Sequence, residues 1–315
     1  MGHLGLGNWM FQYAASYGMT RKVGMRLTSL DGNPTGDQKK NKTARYTGAL
    51  YDYFGTHLSA IRDVKPEQMS SVPSGLCCMY QQRVLRSLQA NCTRNVTIAG
   101  YLQSWRYFGH CQEEIRREFR FTDQLQHGAE KLLEKYTTKV LSRHQAEQKT
   151  NLSRKGKDTS HANSSTANKK VTTVGIHIRR GDYASSAAYR RGYLTADASL
   201  MQRVVQYLSQ RGNGSTSRHL YFIVCQDLEY CTKEFGKFID LAVVEESVQN
   251  RGLSMCFLAL CDVVVFGSST STFAWWAGFL SRGTVLYNRQ IVRPGSTLER
   301  EFNMRDYFMP HWIAV

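Results

Sequence analysis

Two guanidiniums, an imidazole and a carboxylate fall within six residues of one another, at His177, Arg179, Arg180 and Asp182. Adjacent arginines offer fixed forks of donors whose charge does not titrate, which is the chemistry that holds a diphosphate. The run ahead of them, Val171-Thr172-Thr173-Val174-Gly175-Ile176, is β-branched and apolar. A buried strand is therefore predicted to end at the charged cluster. In an open α/β sheet, ligands bind at the carboxyl ends of the strands. If the chain is still extended there, His177 and Arg179 share a face and Arg180 points the other way. One arginine is then expected to hold phosphate and the other to brace Asp182.

A second cluster follows the apolar run Val263-Val264-Val265-Phe266. It reads Gly267-Ser268-Ser269-Thr270-Ser271-Thr272-Phe273, and Ala274-Trp275-Trp276-Ala277-Gly278 comes next. Five consecutive hydroxyl residues between a strand and a helix start gather side-chain donors and unpaired backbone N–H groups, an anion site. A plain N-cap with surplus serine is the alternative. Trp275 and Trp276 fall inside the helix and read as packing residues. Near the start, Leu4-Gly5-Leu6-Gly7-Asn8 reads as a turn, and Met10, Phe11, Ala14, Ala15 and Gly18 then recur at helical spacing.

The elements that must position these clusters alternate. Val96–Tyr101 reads as a strand, and Ala129, Leu132, Leu133, Tyr136, Val140 and Leu141 mark a helix face. After Val171–Ile178 come a helical face at Leu200, Val204, Val205 and Leu208, a strand at His219–Cys225 and a short helix. A strand at Leu241–Val244, a helix at Leu253–Cys261 and the strand Val263–Phe266 complete the series. Such alternation implies βαβ units and a parallel sheet. Residues 142–170 are rich in Lys, Ser, Asn and Thr and poor in apolar residues, so they read as an exposed linker or insertion. The expected division is an N-terminal lobe over 1–141, that linker, and a C-terminal lobe over 171–315. A polar stretch from Asp31 to Thr47 reads as a loop.

At 315 residues with 42% hydrophobic content, the chain can bury a substantial core. Its net charge of +16 is scattered and comes without a zinc finger, basic helix or RNA-binding aromatics, so nucleic acid is not the expected partner. Asn-x-Ser/Thr acceptors stand at Asn41, Asn91, Asn95, Asn151, Asn163 and Asn213. The eight cysteines form no metal-binding spacing and, in a glycosylatable chain, lean towards disulfides in an oxidising lumen, with buried thiols the alternative. The longest apolar stretch, Met255–Gly267, is interrupted by Asp262 and falls short of the ~20 residues of a spanning helix. The Gly-rich turn near Met1 is of a kind that follows a strand, so a membrane anchor ahead of this sequence is expected in a full-length form.

These motifs together resemble the α-1,2-fucosyltransferases of glycosyltransferase family 11. Their donor signature, His-x-Arg-Arg-x-Asp, is met by His177, Arg179, Arg180 and Asp182. Gly5-Leu6-Gly7-Asn8 with Met10-Phe11-Gln12-Tyr13-Ala14 matches the family's N-terminal motif. Gly100-Tyr101-Leu102-Gln103-Ser104 with Tyr107-Phe108 matches the middle one, and Ser271-Thr272-Phe273-Ala274-Trp275-Trp276 the C-terminal one. The likeness implies a GT-B-like α/β fold of two Rossmann-like lobes, with the donor site in the C-terminal lobe. It implies inverting transfer of L-fucose from GDP-β-L-fucose to the 2-hydroxyl of a terminal β-galactoside, in the Golgi lumen, by a type II membrane protein.

Carried onto this chain, the likeness gives donor contacts to Gly7, Asn8, His177, Arg179, Arg180, Ser271, Thr272 and Phe273. Catalytic roles fall to Asp182, Arg180 and Asn8, with Asn8 reaching into the cleft from the other lobe. No Asp-x-Asp element occurs in the sequence. Metal-independent transfer without a cofactor is the expectation, with fixed positive charge stabilising the departing GDP. The general base stays open: Asp182 is as suited to orient the arginines as to take a proton, and Asp227 and Glu245 are outside candidates. Alternatives are fucose transfer to another position or to protein, an inactive glycan-binding relative, and adhesion through Arg180-Gly181-Asp182.

Overall fold

The computed structural model describes residues 5–27, 50, 52–54, 70–73, 77–93, 96–154, 170–211, 217–238, 240–245 and 250–315. They fall into two units. Unit 1 comprises residues 1–123 and 293–312, and unit 2 comprises 124–292 and 313–315.

In unit 1 the helical run near the start forms α1 (Leu6–Val23), with Gly5 as N-cap and a left-handed Gly24 closing it. The expected turn at Leu4–Asn8 is thus, from Leu6 onward, the first turn of a helix, and Leu4 lies outside the described residues. Met10, Phe11, Ala14 and Ala15 are fully buried. Gly18 lets α1 lie against the backbone of Tyr107 and Phe108, since a Cβ there would sit 2.4 Å from the Tyr107 carbonyl oxygen. Strand β1 (Ser70–Pro73), helix α2 (Gln82–Ala90), strand β2 (Val96–Ala99) and helix α3 (Gln112–Glu118) follow, with β1 and β2 parallel. The segment 293–312 joins this unit through Asp306. Its carboxylate accepts from the Tyr80 backbone N–H at 2.9 Å and pairs with Arg106 at 2.8 Å.

Unit 2 is built on a six-stranded, wholly parallel sheet. Helix α4 (Asp123–Arg154) leads into it, and the strands are β3 (Lys170–Ile178), β4 (Ser217–Cys225), β5 (Leu241–Val243), β6 (Val263–Phe266), β7 (Thr284–Tyr287) and β8 (Ile313–Ala314). Helices α5 (Ser186–Arg191), α6 (Ala198–Arg211), α7 (Leu228–Phe235), α8 (Arg251–Leu260) and α9 (Thr272–Leu280) complete the alternation. The strand order β5-β4-β3-β6-β7-β8 is the doubly wound nucleotide-binding order, reversing direction between β3 and β6. On one face Val174, Ile176, Ile178, Ile223 and Val265 pack against Leu200, Met201, Val204 and Phe235. On the other, Phe222 meets Phe257 of α8 edge to face, and Phe257 in turn meets Tyr136 of α4.

Three expectations are corrected. Val205 is exposed, because the buried stripe of α6 runs through Leu200, Met201, Val204 and Leu208. The boundary falls at residue 123 rather than 141, and residues 142–154 of the expected linker continue α4. Polar residues dock that stretch: Arg143 donates to the Leu241 carbonyl at 3.2 Å and His144 pairs with Asp240. Residues 155–169, like 28–49, lie outside the described residues. The third correction is the return of 293–312 to unit 1, so the expected C-terminal lobe is not continuous. No helix among the described residues is long and apolar enough to cross a membrane.

Candidate functional site

The site is set by the two adjacent strands at which the sheet reverses. β3 and β6 pair with His177 opposite Phe266, so His177–Asp182 and Gly267–Phe273 leave the sheet side by side at its carboxyl edge. The Gly267 N–H donates to the His177 carbonyl at 2.9 Å. A side chain at 267 could not be accommodated: its Cβ would stand 2.6 Å from Ile178 Cδ1 and 2.7 Å from that same carbonyl oxygen.

His177 is 4% exposed, and its ring centre lies 5.0 Å from that of Phe273. Burial, with the Arg179 charge nearby, pushes its pKa down to about 3. The imidazole is neutral at physiological pH, with one nitrogen able to donate and the other to accept. Its Nδ1 is buried and has no hydrogen-bond partner among the described residues. A buried polar atom left in this state marks a position where a bound molecule can supply the missing bond.

The two arginines diverge. Arg179 turns onto Asp182, with Nε and Nη2 at 2.9 and 2.8 Å from Oδ1, and its guanidinium lies 5.5 Å from the Tyr183 ring centre. Arg180 turns to the β4 side. Its guanidinium lies 3.7 Å above the Tyr230 ring, and its Nε is 3.4 Å from Asp227 Oδ2. Both side chains are about three-quarters buried, at 27% and 24% exposure. Their charges are therefore pre-oriented at the sheet edge and incompletely hydrated, the condition in which an anion gains most from them.

The hydroxyl run is spent differently from the expectation that it donates to an anion. Ser268 Oγ donates to the Arg179 carbonyl at 3.2 Å, and Ser269 Oγ to the Asn288 carbonyl at 2.6 Å. Thr270 exchanges contacts with Tyr183, whose hydroxyl donates to the Thr270 carbonyl at 3.1 Å. Ser271 caps α9, accepting from the Ala274 N–H. These four residues are buried, and they tie the loop to the arginine segment and to β7. In this cap Ser271 Oγ acts as an acceptor and keeps its own hydroxyl proton to donate, and the Phe273 ring beside it faces His177. Trp275 and Trp276 are fully buried, as expected of packing residues.

Among the other predicted residues, Asp227 caps α7 through the Tyr230 N–H at 3.1 Å while holding Arg180 through its other oxygen. Glu245 follows the outermost strand and pairs with Lys139 at 3.5 Å, apart from the cluster. Asp182 is 65% exposed and engaged with Arg179. Gly7 and Asn8 lie in unit 1, in the first turn of α1, where Asn8 Oδ1 accepts from Gln103 Nε2 at 2.9 Å. Of the glycosylation acceptors, Asn91 follows α2 and Asn151 lies in α4; Asn41, Asn95, Asn163 and Asn213 lie outside the described residues. The cysteines divide between the two readings: Cys77–Cys78 and Cys225–Cys231 are disulfides, whereas Cys111, Cys256 and Cys261 are buried thiols and Cys92 is an exposed one. No His, Cys, Asp or Glu cluster among the described residues could hold a metal ion.

Three contributors lacked a signal in the sequence: Tyr230 carries Arg180, Asn288 ties the hydroxyl loop to Arg203, and Tyr193 packs at a ring distance of 4.5 Å on Tyr183, the ring beside Arg179. Burial pushes the Tyr183 hydroxyl well above the usual tyrosine range, so it remains a neutral donor. Only the position of Asp227-x-x-Tyr230 just after an apolar strand could have drawn notice to the seat of Arg180.

A doubly wound parallel sheet carrying a basic cluster at its reversal point, in a chain with a second α/β unit, is a GT-B-like architecture. Residues 151–315 match the signature of Glycosyl transferase family 11. The chain belongs to that family. It is 24% identical over 222 residues to galactoside alpha-(1,2)-fucosyltransferase 1 of Sus scrofa, covering 69% of this chain and 52% of the relative. The Homo sapiens protein of the same name is 22% identical over 224 residues, at 69% and 52% coverage. The chain spans about half the length of the curated relatives it matches. Its fold is similar to that of the fucosyltransferase NodZ from Bradyrhizobium, with TM-score 0.50, 13% identity, and 88% and 90% of the two chains covered. A structure titled NodZ alpha-1,6-fucosyltransferase co-crystallized with GDP gives TM-score 0.51 at 14% identity, covering 88% and 89%.

Proposed function

We propose that the protein transfers L-fucose from GDP-β-L-fucose to the 2-hydroxyl of a terminal β-galactoside on a glycan, with inversion and without a metal. The observation that carries the donor half is the divergent arginine pair beside a neutral, unsatisfied histidine at the reversal point of the sheet. Arg180 and Arg179 supply charge to the diphosphate, and the His177 Nδ1 finds its missing partner on the nucleotide sugar. As the bond to fucose breaks, negative charge accumulates on GDP, and guanidiniums already fixed by Asp182, Asp227 and Tyr230 meet it without reorganising. The names of the sequence relatives support fucose and the 2-linkage.

Metal independence rests on the absence of an Asp-x-Asp element and on the fixed cationic clamp in its stead. Asn8 is given its role at the sugar by the family motif. No general base is assigned, because Asp182 and Asp227 are each committed to an arginine. With a loose, oxocarbenium-like transition state, the incoming hydroxyl needs little deprotonation before attack. The glycan acceptors and disulfides support a Golgi-lumenal, type II membrane placement for the full-length protein. Its partners are then GDP-fucose and the acceptor glycan, with no nucleic acid, and the membrane enters only through an anchor outside this sequence.

Transfer to another position, or to protein, keeps the same donor chemistry and is the second reading, favoured by the α-1,6 linkage named for the fold neighbour. Adhesion through Arg180-Gly181-Asp182 is disfavoured, because the Arg180 side chain is three-quarters buried and seated on the Tyr230 ring rather than displayed at a loop tip. Incubation with GDP-fucose, EDTA and a panel of β-galactosides, followed by linkage determination of the product, tests the proposal. A 1→2 linkage formed in EDTA is the expected result. A requirement for divalent metal would overturn the mechanism, another linkage the acceptor assignment, and GDP binding without any transfer would leave an inactive relative.

A further inference from the structure

β6 and β7 pair with Phe266 opposite Tyr287, so the next residues, Gly267 and Asn288, leave the sheet edge together. Asn288 is 2% exposed. A buried carboxamide is destabilising unless its polar atoms find partners, and here each of them does. The Asn288 N–H donates to the Phe266 carbonyl at 3.1 Å, its carbonyl accepts from Ser269 Oγ at 2.6 Å, and Nδ2 donates to the Gly267 carbonyl at 3.2 Å. Oδ1 accepts from Arg203 Nη2 at 3.0 Å and from the Gln290 N–H at 3.1 Å. A guanidinium and a backbone amide can only donate, so these two bonds decide which end of the carboxamide is oxygen and leave Nδ2 facing Gly267.

Arg203 is itself held. Its Nη1 donates to Ser199 Oγ at 2.9 Å, one turn earlier on α6, and the Ser199 hydroxyl donates to Asp197 Oδ1 at 2.5 Å. From Arg203, donation runs one way through Asn288 to the Gly267 carbonyl, with a charged donor at its head. Beyond that carbonyl, the Gly267 N–H donates to the His177 carbonyl and Ser268 Oγ to the Arg179 carbonyl. The backbone that carries the imidazole and the first guanidinium thus rests on a turn that Asn288 holds from behind.

We propose that Asn288, oriented by Arg203, is a positioning residue for the donor: it sets the Gly267–Ser271 turn, and through it the His177 and Arg179 backbone, at the spacing that takes a nucleoside diphosphate. The inference rests on the proposed function, since it takes this edge of the sheet to hold GDP-fucose. Its test compares Asn288→Ala, Arg203→Met, the two combined, and Arg218→Ala, read as GDP affinity, kcat, KM for GDP-fucose and thermal unfolding. Arg218 pairs with Asp240 at 3.0 Å near the start of β4, the opposite end of that strand from the site, so its loss shows what destabilisation alone does.

Asn288→Ala weakens GDP binding and raises KM about tenfold, the scale of a buried partner left unsatisfied. Saturated kcat stays within about twofold of wild type, the pattern of lost ground-state binding. Arg203→Met shifts affinity and KM in the same direction by about threefold. Added to Asn288→Ala it changes nothing further, because Arg203 acts only through Asn288. Arg218→Ala lowers thermal stability and leaves GDP affinity unchanged.

Unchanged GDP affinity in both single variants, multiplying losses in the combined one, or an equal loss of affinity in Arg218→Ala would overturn the inference and make Asn288 a packing residue. Should Asn288→Ala fail to fold, Arg203→Met decides against Arg218→Ala. A wild-type chain that binds no GDP would fail the proposed function itself, whereas wild-type binding with indifferent variants would remove this inference alone.

Discussion

The guanidinium of Arg180 stacks at 3.7 Å over the ring of Tyr230, while its neighbour Arg179 turns away to Asp182. Two residues adjacent in sequence are thereby given separate seats, one on the start of α7 and one on the turn after β3. A planar cation on an aromatic face keeps its outer edge available for oxygen ligands, so stacking holds Arg180 without using up its donors.

Arg180→Ala is expected to weaken GDP binding by about 10²-fold, the loss of a charge-assisted bidentate contact. Tyr230→Leu should weaken it about fivefold through loss of the stacking alone, within the range of a cation–π contact. Titration calorimetry with GDP measures both. Undiminished affinity in Arg180→Ala would remove that residue from the donor clamp.

Asp182→Asn distinguishes orientation from proton transfer. Loss of a general base costs about 10²–10⁴ in rate. Loss of one charge from a pairing whose carboxylate is 65% exposed should cost no more than about tenfold. The smaller effect is expected, and an activity loss of several thousandfold would restore Asp182 as the base.

His177 makes stability pH-dependent with a definite sign. Its folded pKa of about 3 lies below the ordinary 6.5. Across that window the unfolded chain binds a proton that the folded chain does not. Its contribution is fully present above pH 6.5 and is lost as pH falls towards 3, with a limiting slope of about 1.4 kcal/mol per pH unit. Denaturant unfolding followed from neutral pH down to about pH 4 should show a shallower acid decline in His177→Asn than in wild type. Identical slopes would mean that the histidine is not held neutral by burial.

The Cys225–Cys231 disulfide spans the segment that supplies both Asp227 and Tyr230. Replacing both cysteines with serine should therefore lower GDP affinity as well as thermal stability, the latter by about 2–4 kcal/mol. A stability loss with affinity intact would show that the seat of Arg180 survives without the crosslink.

The strands of unit 2 were legible because each is a short apolar run closed by a polar turn, and Val263–Phe266 has the bounds its composition implies. The reversal point could be foreseen as a place of chemistry from the charges after Ile178. What the hydroxyl residues do there could not, because a serine that caps a helix and one that binds phosphate look the same in a sequence. Residues 142–154 were misread for a related reason. A helix docked through Arg143 and His144 lacks the apolar period by which helices are recognised. Tyr230 escaped notice since nothing in its neighbours tells which of many tyrosines lies under an arginine. The adjacency of Gln103 to Asn8 is a contact between residues 95 positions apart, which no local pattern encodes.

The return of residues 293–312 to unit 1, followed by β8 completing the sheet of unit 2, bears on how such a scaffold can diversify. Neither unit is a single uninterrupted stretch of the gene. Exchange of the N-terminal unit between relatives by one crossover would leave Asp306 facing foreign partners for its contacts to Tyr80 and Arg106. Recombination that brings in a new N-terminal unit with its own contacts intact needs two breakpoints, whereas point changes within either unit need none. Evolution of this scaffold is therefore channelled towards substitution in place.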